Sequence, residues 1–304
     1  MKPAPRTSHI ILTADDFGRS TAINAAIVRA HREGVLTAAS LMVAGDAWAE
    51  AVELARATPT LAVGLHLVVS GGRAVLSPRE IPHLVGPDGF FPDDPLRLGL
   101  RYAFDRAAQR ELAAEIAAQF ARYAATGLPL SHVDGHQHLH VHPVVFNLLL
   151  PLARRYGAQG VRVPSDDLLL ALRHDRRGAG AKIGWALGLG LVLGWCRRRA
   201  RASGLAVADR VYGVFQSGQM TEGYVMGALR ALKAPIAEFY FHPALENLGE
   251  ALGPNPGDLA TLLSPAVRQV IAARGLRLAT YASLNASGRD AVILSSGGSV
   301  KPKM

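Results

Sequence analysis

Five of the eleven histidines fall in one segment, HVDGHQHLHVHP, at residues 132–143. A run of this kind is typical of a metal site, of a group of catalytic bases or of a solvated surface loop. Side chains two residues apart on a strand lie about 7 Å apart, so they cannot all reach one ion. Gly135 and Pro143 argue against one continuous helix, so we expect a strand through Asp134, a turn, and a loop into a helix. One or two imidazoles can then bind a metal, and the others orient ligands, contact substrate or face solvent.

Two further groups of metal-competent side chains lie upstream. The segment TADDFG places Asp15 and Asp16 at the end of an apolar strand, where alternation points them to opposite faces. His66 lies in the apolar segment LAVGLHLVV. Each has a structural alternative, since aspartate often caps helices and a lone histidine in such a strand is more often a core residue. Asp16, His66 and one histidine of residues 132–143 make a set of two histidines and one carboxylate, which leaves coordination positions open for water and substrate.

Such a set suits the hydrolysis of an amide. A bound divalent ion lowers the pKa of water from about 15.7 toward about 7 and polarises a carbonyl. Asp15 is then the candidate base, and a histidine has a suitable pKa to protonate the leaving amine. We expect one divalent metal ion, zinc or magnesium first, with cobalt, nickel or manganese as alternatives.

Composition excludes several classes of protein. The chain has 304 residues, of which 49% are hydrophobic, enough for one large core. Its single cysteine, Cys196, excludes a disulfide framework and a cysteine-rich zinc module. No apolar run near the amino terminus is long enough for a secretory signal, and we expect a cytoplasmic protein. The net charge of +9 suits an anionic partner, but no RNA-binding or zinc-finger spacing accompanies it, so we expect no nucleic-acid partner.

Strand and helix patterns alternate about seven times, which predicts a parallel sheet with helices outside it. We expect a distorted or incomplete (β/α) barrel forming a single domain over residues 1–285, followed by a tail at 286–304. Residues 70–104, rich in Gly, Pro and Asp, are expected to be a long excursion without a core element. The polar residues of interest follow strands, and in a barrel those strand ends meet at one mouth.

One segment departs from this rhythm. An insert at about 175–205 contains AKIGWALGLGLVLGWC followed by RRRARAS, and its uncharged run of 14 residues is short for a membrane span. It is either a buried core helix or an interfacial segment, with a true span as a third alternative. In the interfacial case, Trp185 and Trp195 anchor it and the arginines of 181–201 contact anionic headgroups.

The motifs together resemble the YdjC/ChbG-type carbohydrate deacetylase family. The resemblance rests on TADDFG with the following helix, on VGLHL, on HVDGHQHLHVHP and on FHPA, in this order between residues 9 and about 281. It implies a distorted (β/α) barrel and the metal-dependent removal of acetyl groups from N-acetylated amino sugars.

The resemblance also implies roles for individual residues. The metal ligands would be Asp16, His66 and His136. Asp15 would be the base, His242 the acid, and Arg162 would brace Asp15 or the acetyl oxyanion. The remaining polar residues of the histidine segment would contact substrate or support ligands: His132, Asp134, His138, His140 and His142.

The insert and the basic charge are similar to the hopanoid-biosynthesis-associated (HpnK-type) branch of that family. The substrate would then be an N-acetylglucosaminyl hopanoid glycolipid, and the enzyme would sit peripherally on the inner face of the cytoplasmic membrane through 181–201. One alternative keeps the enzyme but gives it soluble chitooligosaccharide-type substrates. A second alternative is a non-catalytic metal- or lipid-binding protein.

Overall fold

A computed structural model describes residues 8–250 and 252–284. Its strands are β1 (His9–Phe17), β2 (Ala38–Leu41), β3 (Ala62–Leu67), β4 (His132–Gly135), β5 (Gly160–Val161), β6 (Arg210–Tyr212), β7 (Ile236–Phe241) and β8 (Arg277–Leu278). They form one sheet in the order β5-β4-β3-β2-β1-β7-β6, and β8 pairs with the start of β1. All of these pairings are parallel.

Helices connect the strands. They are α1 (Thr21–Glu33), α2 (Trp48–Arg56), α3 (Pro95–Phe104), α4 (Arg106–Ala125), α5 (Pro143–Arg155), α6 (Leu168–His174), α7 (Ala179–Ala202), α8 (Glu222–Ala231), α9 (Pro256–Leu263) and α10 (Pro265–Ala273). A short 3-10 helix, His136–Val141, links β4 to α5.

The sheet curls into a distorted barrel, and the predicted fold class is confirmed. The two ends of the strand order, β5 and β6, are not paired in the described part of the chain. Irregular backbone hydrogen bonds bridge them instead, from Val161 N–H to the carbonyl of Ala206 and from Val211 N–H to that of Ser165. Between Val161 and β6 the chain leaves the barrel to form α6 and α7.

Local sequence explains the elements on which the site depends. All residues of β1 after His9 are buried, as expected for an apolar strand with helices on its outer side. Helix α1 begins after Ser20, whose side chain accepts from Ile23 N–H, and Gly34 ends it. Helix α5 starts at Pro143, whose missing N–H costs nothing in the first turn.

The excursion at residues 70–104 was predicted without a core element, and this is wrong in part. It contains α3, which begins where Asp94 accepts from Arg97 N–H and Pro95 occupies the first turn. Leu98 and Tyr102 of α3 are buried. The Gly, Pro and Asp residues before it conceal a regular cap-and-proline start signal. The predicted tail at 286–304 lies outside the described residues.

Candidate metal centre and active site

Side chains from three strand ends meet at the carboxyl-terminal edge of the sheet. The three residues are Asp16 near the end of β1, His66 on β3 and His136 just after β4. One donor atom of each lies within 4.8 Å of the other two. Asp16 Oδ1 lies 3.3 Å from His136 Nδ1 and 3.5 Å from His66 Nε2. The three predicted metal ligands are thus brought together, although their role as ligands stays a prediction.

The backbone at Asp16 has a conformation that few residues adopt. Its φ is +64°, in the left-handed region, and the pairing of β1 with β2 shifts register between Ala14 and Phe17. Strand alternation would have sent Asp15 and Asp16 to opposite faces, but both line the same cavity. The expectation of opposite faces was therefore wrong, because the strand is irregular at this position.

His66 is held by its neighbour in the sheet. The register of β3 and β4 pairs His66 with Asp134, and Asp134 Oδ1 lies 2.8 Å from His66 Nδ1. Burial lowers the pKa of His66, but the carboxylates of Asp134, Asp15 and Asp16 together outweigh it and raise that pKa to about 9. Because Nδ1 is engaged, Nε2 is the nitrogen directed to Asp16, an arrangement common in carboxylate–histidine–metal sites.

Arg162 lies at the centre of a buried group of carboxylates. Its two terminal nitrogens contact the two oxygens of Asp15 at 2.6 and 2.8 Å. The guanidinium also contacts Asp134 at 2.9 Å and Glu238 at 2.9 Å, and it lies 4.7 Å from the ring centre of Tyr240. Burial lowers the pKa of Arg162, yet the three carboxylates raise it well above its ordinary value. Arg162 is fully buried and contacts Asp15 directly, and a role toward the acetyl oxyanion stays a prediction.

The charge of this region fits a cation. Four buried carboxylates, those of Asp15, Asp16, Asp134 and Glu238, outnumber the two guanidinium groups that contact them. Arg162 contacts three of them, and Arg19 contacts Asp16. Asp16 Oδ1 is buried without a hydrogen-bond partner among the described residues, which would be costly if nothing bound it. A divalent ion held by two imidazoles and this oxygen would satisfy it.

His132, predicted to support the ligands, is fully buried and packs below the site. Its Nε2 lies 3.0 Å from Ser40 Oγ, which donates to Asp134 Oδ2 at 2.7 Å. Its ring stacks on Tyr281, with centroids 5.3 Å apart. A Cβ at residue 64 would lie 2.5 Å from this ring, so Gly64 provides its space. His132 therefore supports the site from below, through Ser40 and Asp134 on one side and Tyr281 on the other.

The other histidines of the segment differ in position. His138 lines the cavity, and its Nε2 lies 3.0 Å from the Tyr240 hydroxyl. The buried His140 bonds through Nε2 to the Arg162 carbonyl at 2.9 Å. His142 packs edge-on against Tyr102 at 6.2 Å. Of these four described histidines, His138 alone lines the cavity, and His132, His140 and His142 do not.

His242 follows β7 and faces the same cavity as Asp15 and Asp16, which has a volume of about 740 Å³. The backbone N–H of His242 donates to Asp258 at 2.8 Å. Its Nδ1 is buried without a hydrogen-bond partner in the described part of the chain. The predicted base and acid thus open onto one space, and the assignment of His242 as the acid stays a prediction.

Two residues that contact the site, Glu238 and Arg19, were not identified from the sequence. Glu238 accepts from Arg162, from Thr13 at 2.9 Å and from Tyr281 at 2.6 Å. An acid inside the apolar strand IAEFYF was the signal that could have revealed it. Arg19, which lies 3.2 Å from Asp16 Oδ2 and also pairs with Glu250, carried no comparable signal.

Comparison with known proteins identifies the family. The model of the YdjC-like protein family matches residues 9–273. This chain belongs to the YdjC-like family. Two relatives align over nearly their whole length: a carbohydrate deacetylase of Geobacillus stearothermophilus, 30% identical over 90% of this chain and 96% of that protein, and a chitooligosaccharide deacetylase of Klebsiella pneumoniae strain 342, 30% identical over 90% and 97%. The predicted resemblance is confirmed for the family, and the hopanoid-associated branch stays a prediction.

Other YdjC-like comparisons cover less or show the fold alone. A carbohydrate deacetylase of Brevibacillus brevis is 42% identical, over 51% of this chain and 59% of that protein. A crystal structure from Enterococcus faecalis V583, of a protein to which cellobiose-phosphate cleavage has been ascribed, superposes with a TM-score of 0.72. It covers 91% of this chain and 99% of that chain at 23% identity. It supports the distorted barrel.

Proposed function

We propose that this YdjC-like protein is a metal-dependent hydrolase that removes N-acetyl groups from amino-sugar carbohydrates. The observation that carries the proposal is the convergence of Asp16, His66 and His136 beside Asp15 in one cavity. The names of the aligned relatives support the same chemistry. The cytoplasmic location stays a prediction.

The residues divide the reaction between them. A divalent ion held by Asp16, His66 and His136 would activate water and polarise the acetyl carbonyl when bound. Asp15, fixed by Arg162, accepts the proton of the attacking water as the oxygen bonds to the carbonyl carbon. His242 donates a proton to the sugar nitrogen as the carbon–nitrogen bond breaks. Acetate and a free amino sugar leave.

Two substrate classes compete. Soluble N-acetylated oligosaccharides are favoured by the names of the relatives, one of which is a chitooligosaccharide deacetylase. An N-acetylglucosaminyl lipid, including a hopanoid, is the second candidate, and the specific observation for it is the apolar helix α7 whose Trp185 lines the cavity. The comparisons back the soluble class better, so it is the first substrate to test.

The test is acetate release from diacetylchitobiose and from an N-acetylglucosaminyl lipid, each with and without a chelator. We expect release that stops on chelation and returns on adding zinc or magnesium, with about one metal ion per chain. Asp16→Asn removes a predicted metal ligand, so this variant should lose both metal and activity. Acetate release that persists after complete metal removal would refute the mechanism. Several bound ions with no release from either substrate would favour a non-catalytic metal-binding protein.

A further inference from the structure

The amino-terminal half of α7 exposes an apolar face. Leu187 is 77% exposed and Leu191 88%, and Ile183 lies on the same side one turn earlier. The helix is long and apolar enough to cross a membrane, yet only 11% of its apolar 18-residue stretch is buried in the protein. Exposed leucines at a spacing of four residues form a continuous stripe, which usually marks an interaction surface.

The carboxyl-terminal half of α7 is packed on the barrel. Leu193, Cys196 and Ala200 are buried, and Trp195 lies 5.7 Å from the ring of Phe146 on α5. A helix fixed to the protein along this half cannot cross a bilayer independently. Its exposed stripe can instead lie in the plane of an interface.

A second apolar stripe lies on α3. Leu96 is 77% exposed, Leu100 56% and Phe104 81%, again at a spacing of four residues. The opposite face of α3 holds Leu98 and Tyr102 in the core. The exposed stripe is therefore additional to the face that holds α3 to the protein.

The two helices flank the mouth of the cavity. Pro95, the first residue of α3, and Trp185 of α7 both line it. Both helices also contact α5 and the 3-10 helix that carries His136 and His138. The two stripes therefore belong to neighbouring elements beside the site.

Charge indicates the chemistry of that surface. Residues 168–202 contain eight arginines and lysines against one acid, Asp175, so this segment carries +7 of the chain's net +9. The exposed Arg97 adds a positive charge within α3. Apolar stripes on a segment rich in arginine match a bilayer that contains anionic lipid, because leucines can enter the acyl region while arginines contact the headgroups.

We propose that the apolar stripes of α3 and α7 dock this protein on an anionic lipid bilayer. The proposal does not depend on the deacetylase activity, since it concerns where the molecule binds and not what it cleaves.

The test is co-sedimentation of the full chain with vesicles of phosphatidylcholine containing 30% phosphatidylglycerol, and with vesicles of phosphatidylcholine alone. We expect binding to the anionic vesicles that weakens at high salt. Leu187→Gln/Leu191→Gln and Leu96→Gln/Leu100→Gln should each weaken it about tenfold or more, since burying a leucine favours binding strongly. Glutamine keeps the helix propensity, and unchanged circular dichroism confirms folding.

Leu278→Gln is the matched control, because Leu278 is 48% exposed on β8, which pairs with the amino-terminal end of β1 far from the mouth. It should bind vesicles as the unaltered chain does. Absence of vesicle sedimentation, or equal loss in all three variants, would overturn the proposal. A second result would also overturn it: the unaltered chain binds no vesicles but forms a dimer, and both double variants are monomers. A second copy of the chain would then cover the stripes. Acetate release from diacetylchitobiose by a chain that binds no vesicles would refute docking and leave the proposed activity intact.

Discussion

Nδ1 of His66 lies 2.8 Å from Oδ1 of Asp134, on the neighbouring strand. This contact follows from sheet register, since the two residues are direct partners in the β3–β4 pair. It fixes the imidazole orientation before any metal arrives. The strand pairing therefore organises the predicted metal centre.

Asp134→Asn should weaken metal binding about 10- to 100-fold, because the amide orients His66 less well and supplies no charge. Metal affinity is measured by competition with a chromophoric chelator. Ser40→Ala is the matched control: it removes a donor to Oδ2 of Asp134 and leaves the His66 contact, so its effect should be smaller. Equal affinities in Asp134→Asn and the unaltered chain would show that Asp134 does not position the ligand.

Asp15→Asn should keep about one metal ion per chain and lose about 10²- to 10⁴-fold in kcat, the usual contribution of a general base. The ligand oxygen belongs to Asp16, so the donor set is unchanged. Acetate release and metal content are measured on the same preparation. Full activity in this variant would exclude Asp15 as the base.

Arg162→Met should lower the free energy of unfolding by about 3–5 kcal/mol, because it leaves buried carboxylates without their cation. Asp15, Asp134 and Glu238 would all lose this partner. Denaturant unfolding measures the change. Arg29→Met, which breaks an exposed pair with Glu33, is the control and should change stability by less than about 1 kcal/mol. Similar losses in the two variants would contradict the central role of Arg162.

His140→Gln should flatten the acid dependence of stability. Burial lowers the pKa of His140 from 6.5 to about 4. Between these two pH values the unfolded chain binds a proton at His140 that the folded chain does not. The free energy of unfolding is therefore unaffected by this group above pH 6.5, and it falls by about 3 kcal/mol as the pH drops toward 4. Glutamine keeps a donor for the Arg162 carbonyl and removes the titration.

Unfolding free energies between pH 4 and 7 measure this effect. Burial also lowers the pKa of His138, with the same sign, so the variant should keep part of the slope. His174→Gln, at an exposed position, should leave the slope unchanged. An unaltered slope in His140→Gln would show that His140 is not buried in its neutral form.

The sequence predicts the fold well where periodicity is strong. Helix α1 has clear end signals in the sequence, Ser20 before it and Gly34 after it. The strands before Asp15 and around His66 were predicted because apolar runs of this length are typical of buried parallel strands. Short elements such as β6, with three residues, have too few positions for a pattern.

The site was predictable in part for the same reason. Chemistry-bearing types at strand ends point to one mouth, and the predicted ligands do converge there. The left-handed backbone at Asp16 and the hydrogen bonds of Glu238 were not predictable, because each depends on contacts between distant parts of the chain. His138 lies in the cavity and His140 in the core because the 3-10 helix is kinked, and this kink was not predictable either.

Helices α6 and α7 enter the chain between β5 and β6. The predicted metal ligands come from β1, β3 and the segment after β4, all before this excursion. The predicted metal ligands and the exposed stripe of α7 are thus encoded in separate parts of the chain, and the candidate acid His242 follows both. Substitutions in the stripe of α7 can therefore accumulate without changing the predicted ligands.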